Sequence, residues 1–119
     1  FLAYNAPHFP MEPPPAWLER VTEREPGIAR QRALAVALIE HFDDGVGRVL
    51  QALKEAGLDQ NTLVVVTSDN GGSLAHAQNN DPWRDGKQSH YDGGLRVPFL
   101  VRWPGRVAPA ATSDYAGLT

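Results

Sequence analysis

Apolar residues recur at spacings of three and four along one long stretch of the chain, which is the period of an amphipathic helix. Gly57 follows as a suitable C′ residue, and Leu58 is placed to pack back against the helix end in a Schellman arrangement. We therefore predict a helix over residues 28–56. Its apolar stripe consists of Leu34, Leu38, Phe42, Val46, Val49 and Leu53.

Two glycines interrupt this helical pattern. Gly45 and Gly47 each cost a helix roughly 1 kcal/mol relative to Ala. We interpret them as positions where another backbone approaches closely, or where the helix kinks.

Two shorter runs have the composition of β-strands. Residues 62–67 are rich in β-branched side chains and apolar on both faces, which is typical of a central parallel strand. Residues 97–103 form the second run, closed by Pro104-Gly105, and residues 1–4 resemble the end of a third. Strand, helix and strand joined by short connections predict a right-handed crossover. The expected fold class is α/β, with a mostly parallel sheet and flanking helices.

The remaining segments are expected to be irregular. Residues 5–15 contain too many prolines for a helix or a central strand. Residues 17–25 predict a short helical turn that ends at Pro26-Gly27. Residues 59–61 form a turn, and residues 71–94 form a long polar loop.

The composition narrows the classes of function. The 119 residues, 42% hydrophobic and 21% charged, suffice for one domain with a modest core. The net charge of −3 provides no basic excess for nucleic acid or an anionic membrane, and no apolar run is long enough to span a bilayer. Without cysteine, these residues contain no disulfide and no thiol nucleophile. Because the chain starts within a strand-like segment and without Met, we expect it to be a piece of a longer protein.

The sequence Ser68-Asp69-Asn70-Gly71-Gly72 ends the first predicted strand abruptly. Asn-Gly favours a type I′ hairpin turn, but no strand-like alternation follows at once. The other interpretation is a ligand site, because open α/β sheets bind ligands at the carboxyl ends of their strands. Asp69 and Asn70 would offer hard oxygen ligands for Ca²⁺ or Mg²⁺. From the residues alone, both interpretations stay open.

Several polar side chains outside this sequence are candidates for substrate chemistry. His8 is either a surface residue of a proline-rich loop or a proton donor at a strand end. Lys87 is either solvated or a fixed positive charge for an anionic group. The same loop holds three more candidates for substrate contact, namely His76, Trp83 and His90. Arg96 is expected to pair with a carboxylate or with carbonyls.

Four blocks occurring in order resemble the sulfatase family, which is part of the alkaline-phosphatase-like superfamily. They are AYNAPHFP, HFDDGVGRVLQALKEAGLDQNTLVVVTSDNGG, GKQSHYDGGLRVP and FLVRWPG, and they cover nearly the whole chain. The resemblance implies an alkaline-phosphatase-like fold, with this chain as the C-terminal part of a catalytic domain that hydrolyses sulfuric esters.

The resemblance also implies roles for single residues. Asp69 and Asn70 correspond to the family's second pair of metal ligands, usually for Ca²⁺, with Mg²⁺ as an alternative. Lys87 corresponds to the lysine that contacts the sulfate and the bridging oxygen. His8 corresponds to the histidine that contacts the sulfate and helps to protonate the leaving group. His90 stays a candidate substrate contact from its place in the loop, not from the resemblance. Cations and a proton donor would stabilise the negative charge that grows on the departing oxygen.

Other family features differ or are absent. The usual Glu-Gly-Gly is Asp92-Gly93-Gly94 here, and Asp43-Asp44 lies within the predicted helix, so it is not the first metal pair. The formylglycine nucleophile arises from a Cys/Ser-x-Pro-Ser/Ala-x-Arg motif, which this sequence does not contain. The nucleophile is therefore expected upstream, and the chain alone is expected to be inactive and to self-associate through unpaired apolar surfaces.

Two other interpretations remain. One is a phosphodiesterase or phosphonate hydrolase of the same superfamily, which the use of Asn70 rather than a histidine ligand disfavours. The other is a non-catalytic assembly module. The substrate beyond a sulfate ester and the compartment are left open, although sulfatases of this kind are often exported.

Overall fold

The computed structural model describes residues 1–114, which form three helices and a small sheet. Helix α1 spans Pro15–Arg24, α2 spans Arg30–Glu55 and the single-turn α3 spans Asp92–Leu95. Strands β1 and β2 are Val64–Thr67 and Phe99–Arg102. Short 3₁₀ turns lie before and after β1, at Asp59–Asn61 and Leu74–His76. The chain is thus an α/β structure, and both predicted strands and the long helix are present.

Helix α2 ends as its sequence predicts. Gly57 has φ of 68°, and its N–H donates to Lys54 O at 3.0 Å. The Leu58 N–H donates to Leu53 O at 2.9 Å. These two bonds form the Schellman motif, which satisfies carbonyls that the helix end would otherwise leave unpaired.

Helices α1 and α2 pack against each other and form most of the core of the described residues. Val21 is fully buried between them, and Arg24 donates to Glu40 at 2.7 Å across the same interface. This bond to Glu40, followed by one to Glu25, raises the pKa of Arg24. Small residues rather than the predicted stripe provide most of the buried positions of α2, which are Ala33, Ala35, Ala37 and Leu38.

The sheet differs from the predicted one. Strands β1 and β2 pair antiparallel, with Val65 opposite Val101 and Thr67 opposite Phe99. The prediction that residues 62–67 form a central parallel strand is therefore wrong for the strand pair of residues 1–114, as is the parallel crossover. A strand that is apolar on both faces indicates burial on both faces, and this burial does not determine the direction of its neighbour. Here the face carrying Val65, Phe99 and Val101 is exposed.

Three local predictions are also corrected. Residues 1–4 form no strand; instead the Tyr4 ring packs edge-on against Phe42, with centroids 5.1 Å apart. Gly45 faces that Tyr4 ring rather than another backbone, and Gly47 faces open space. Asp92-Gly93-Gly94, the end of the expected polar loop, starts the helical turn α3.

None of the helices within residues 1–114 has the length and apolar character needed to cross a bilayer.

Candidate functional site

Asp69 and Asn70 lie directly after β1. Asp69 is exposed and Asn70 is half-buried, and Asn70 Nδ2 donates to Asp69 Oδ1 at 2.5 Å. Neither Asn70 nor Gly71 has positive φ, which a type I′ turn requires at both central residues. The hairpin interpretation is therefore wrong, and the two polar side chains converge at the end of the strand.

The donor set after β1 fits part of a cation site. A carboxylate and an amide are hard oxygen donors of the kind that Ca²⁺ and Mg²⁺ prefer, and these two side chains already lie within a hydrogen bond of each other. A Ca²⁺ shell needs about 6–8 oxygens. Within residues 1–114 no group of three or more His, Cys, Asp or Glu side chains is placed to hold a metal. Asp69 and Asn70 can therefore provide only part of the coordination sphere.

Lys87 and His90 line one open cavity of about 500 Å³. Lys87 is half-buried and His90 is exposed. The other lining residues are Asp85, Gln88, Ser89 and Tyr91. An ammonium and an imidazole beside the same cavity form a suitable environment for an anionic group.

The backbone around Lys87 is strained. Asp85 and Gln88 have φ of 66° and 74°, a left-handed conformation that costs a non-glycine residue about 1–3 kcal/mol. Such strain persists only where surrounding structure imposes it, and it concentrates at ligand sites. No sequence pattern revealed this strain, which marks the segment that carries Lys87 as a candidate ligand site.

His8 is attached to the loop that follows β1. Its Nδ1 donates to Phe9 O at 2.6 Å, and this bond leaves Nε2 as the nitrogen available to a ligand. The Phe9 ring stacks on His76 with centroids 5.1 Å apart, and His76 Nδ1 is hydrogen-bonded to Ser73 Oγ at 2.9 Å. His76 thus anchors the His8 segment to the loop that begins after Asp69-Asn70.

Close backbone contacts between glycines connect the segment after β1 to the lysine segment. The Gly71 N–H donates to Gly94 O at 2.9 Å, and the Lys87 N–H donates to Gly72 O at 3.0 Å. A Cβ on Gly71 would collide with Gly93 O, and one on Gly86 with Gly72 O. These positions require glycine because backbone atoms occupy the space of a side chain.

Backbone hydrogen bonds link the segment after β1 to the segment that carries Lys87, and ring stacking links the His8 segment to the same loop. Among residues 1–114 no hydrogen bond or ion pair joins His8, Lys87 and Asp69 to one another, and the cavity beside Lys87 is not lined by His8, Asp69 or Asn70. Arg96 pairs with Asp92 at 3.2 Å, as expected, and its guanidinium lies 4.1 Å from the Trp83 ring centroid.

Sequence reasoning missed Asn80, whose side chain bonds to Gly72 and to Asp85. Its only signal was an asparagine within a glycine-rich loop.

Comparisons with known proteins agree on the family. The family model described as Sulfatase matches residues 1–118. N-acetylgalactosamine-6-sulfatase of Mus musculus is 40% identical over 83 residues, covering 66% of this chain and 16% of the relative. Steryl-sulfatase of Mus musculus is 45% identical over 82 residues, covering 60% of this chain and 13% of the relative.

A solved structure is similar as well. A crystal structure of Ps i-CgsB in complex with k-i-k-neocarrahexaose superposes with a TM-score of 0.80 at 40% identity, covering 87% of this chain and 22% of that one. This match is consistent with the expected alkaline-phosphatase-like α/β fold. The chain spans 16% or less of the two curated relatives. With a family model that matches residues 1–118, the chain belongs to the sulfatase family.

Proposed function

We propose that this chain is a segment of a sulfuric ester hydrolase, from the C-terminal part of the catalytic domain. Its role there is to supply part of a Ca²⁺ site through Asp69 and Asn70 and sulfate contacts through His8, Lys87 and His90. Relatives named for an aminosugar sulfate and for a steryl sulfate share the sulfate ester. That ester, rather than a particular alcohol, is the substrate class we propose.

One observation carries the proposal. The Lys87 N–H donates to Gly72 O at 3.0 Å, two residues after Asn70. This bond fixes the segment bearing the cation ligands against the segment bearing the lysine. Sulfate ester cleavage needs positive charge near the sulfate oxygens and near the leaving oxygen, and fixed charges act without reorganising during the reaction.

Each residue has a separate chemical task. Asp69 and Asn70 would hold Ca²⁺, whose charge would stabilise the sulfate oxygens. The Lys87 ammonium would bind the sulfate and the bridging oxygen as a point charge. His8, with Nδ1 bonded to Phe9 O, would donate a proton from Nε2 to the leaving alcohol when its ring is charged. The formylglycine nucleophile would come from a part of the protein outside this chain.

The test uses the protein encoded by the complete reading frame that contains this chain. A chromogenic aryl sulfate, an aryl phosphodiester and an aryl phosphonate are assayed with Ca²⁺ and with a chelator. We expect Ca²⁺-dependent hydrolysis of the sulfate. We also expect a loss of roughly 10²–10³ in kcat for Lys87→Ala, the size seen when one electrostatic stabiliser is removed.

The controls test whether an effect comes from the proposed site residue itself or from any change of surface charge. Lys54→Ala, the control for Lys87→Ala, removes an exposed lysine from the last turn of α2. Asp69→Asn neutralises a proposed Ca²⁺ ligand and should lower the activity, and Asp44→Asn, its control, neutralises an exposed acid of α2. Both controls should retain activity. Preferential hydrolysis of the phosphodiester or phosphonate would replace the sulfatase proposal with the related hydrolase, and inactivity towards all three would favour a non-catalytic module.

A further inference from the structure

We propose that Asn80 is a positioning residue that holds the Asp69-Asn70 segment and the Lys87 segment in one fixed arrangement. The inference rests on the proposed function for the roles of Asp69, Asn70 and Lys87. The bonds that carry it belong to Asn80 itself.

The Asn80 side chain engages its oxygen and both of its N–H donors in hydrogen bonds. Its Oδ1 accepts from the Gly72 N–H at 2.8 Å, and its Nδ2 donates to Gly72 O at 2.9 Å and to Asp85 O at 3.1 Å. A primary amide has one acceptor oxygen and two N–H donors, so all of its groups are engaged. The side chain is half-buried, where an unpaired amide group is unfavourable.

The partners of Asn80 lie on the two segments that the proposed site needs. Gly72 follows Asn70 by two residues, and Asp85 precedes Lys87 by two. Gly72 O also accepts from the Lys87 N–H at 3.0 Å. Asn80 and Lys87 therefore bind the same carbonyl, and loss of the amide would leave fewer bonds to hold the two segments together.

The local sequence is matched to this arrangement. A Cβ on Gly72 would lie 2.8 Å from Asn80 Oδ1, and one on Gly86 would lie 2.7 Å from Asn80 Nδ2. Both contacts are closer than side chains tolerate, so glycine at 72 and 86 makes room for the amide. The backbone of Asn80 is held as well, because the Trp83 N–H donates to Asn80 O at 2.9 Å.

The inference predicts an unusual order of variants. Asn80→Asp keeps the size and one acceptor but directs a second, charged oxygen at Gly72 O and Asp85 O. Asn80→Ala removes the side chain and admits water. A positioning role through donated bonds therefore makes Asp worse than Ala, whereas a space-filling role makes Ala worse than Asp.

A matched control lies next to it. Asn79 is exposed, and its Oδ1 accepts from the Asp81 N–H at 3.0 Å. Asn79→Asp makes the same chemical change while keeping that acceptor. Gln78→Ala is a second control, because Gln78 Oε1 accepts from the Ser73 N–H at 2.9 Å without reaching the lysine segment.

The first measurement is hydrogen exchange in the metal-free protein encoded by the complete reading frame. Peptides that include Gly72 and Lys87 should exchange at least about tenfold faster in Asn80→Asp and Asn80→Ala. They should exchange as in the wild type in Asn79→Asp. Unchanged exchange in both Asn80 variants would overturn the inference.

The second measurement is the coupling between the segments. Added Ca²⁺ should slow exchange at Lys87 in the wild type, Asn79→Asp and Gln78→Ala, and should fail to do so in Asn80→Asp. The Ca²⁺ concentration for half-maximal aryl sulfate hydrolysis should rise by about tenfold or more in Asn80→Asp, and less in Asn80→Ala.

The outcomes distinguish the two proposals. A wild-type protein that has no sulfatase activity but shows the Ca²⁺ coupling, with the coupling lost in Asn80→Asp, would refute the proposed function and support the positioning role. An active wild type whose Asn80 variants keep the Ca²⁺ midpoint and the coupling would support the function and refute the positioning role. A Gln78→Ala variant with the same midpoint shift would likewise refute it, because the shift would then reflect general loosening of the loop.

Discussion

Replacing Gly86 by alanine tests whether close backbone packing holds the Lys87 segment. An added Cβ would collide with Gly72 O and lie 2.7 Å from Asn80 Nδ2 and 3.2 Å from Leu74 Cγ. Gly86 is buried, so the methyl group cannot turn towards solvent. The substitution must push the segment bearing Lys87 away from Gly72.

The expected cost follows from these contacts. Overpacking of a well-packed position costs about 1–3 kcal/mol. The shift would also weaken the hydrogen bonds that Lys87 N and Asn80 Nδ2 donate to Gly72 O, each of which contributes about 1 kcal/mol. We therefore expect Gly86→Ala to lower the free energy of unfolding by about 3 kcal/mol.

The assay compares urea denaturation of Gly86→Ala and Gly47→Ala in the protein encoded by the complete reading frame. Gly47 lies in α2 with no atom within 4 Å of an added Cβ. Alanine there should stabilise the helix by about 1 kcal/mol, the opposite sign. Gly86→Ala should also lower kcat by about 10², because a small misplacement of a charged group is costly in catalysis. A Gly86→Ala protein within about 0.5 kcal/mol of wild type would refute the reasoning.

Three further predictions concern the core and the isolated chain. Val21→Ala removes two methyl groups from a fully buried position between α1 and α2, so we expect a loss of about 2–3 kcal/mol in thermal denaturation, including the cavity; a loss below about 0.5 kcal/mol would contradict the packing. The purified 119-residue chain should not hydrolyse an aryl sulfate, and metal-dependent turnover by it would show that no other segment is needed. The same chain should self-associate in sedimentation experiments through the exposed sheet face of Val65, Phe99 and Val101. Phe99→Lys should reduce that association, and a clean wild-type monomer at high concentration would count against it.

Local signals in the sequence located most of the elements correctly. The period of apolar residues located α2 to within two residues, and Gly57 with Leu58 marked its end. Composition located β1 and β2 within two residues of each boundary. These features depend on the chain's own residues over a few turns, so the sequence contains the information directly.

Other predictions failed because they concern partners distant in sequence. Strand direction is a property of a strand pair. The residues of β1, such as Val65, do not specify whether β2 runs parallel or antiparallel to β1. The neighbours of the two glycines in α2 could not be predicted for the same reason. Only the fold reveals that Tyr4 approaches Gly45 and that nothing approaches Gly47.

The candidate site divides in the same way. The ordered sequence blocks determined the family and singled out His8, Asp69, Asn70, Lys87 and His90 as site residues, whose roles stay predictions. Tertiary structure alone decided that Gly72 and Lys87 share a hydrogen bond and that Asn80 connects their segments. The sequence gives the chemical identity of each residue directly. The hydrogen bonds that Lys87 and Asn80 donate to Gly72 O form only when the loop between Gly72 and Lys87 has folded. That folding depends on backbone groups that every residue carries, and so no side-chain pattern announces it.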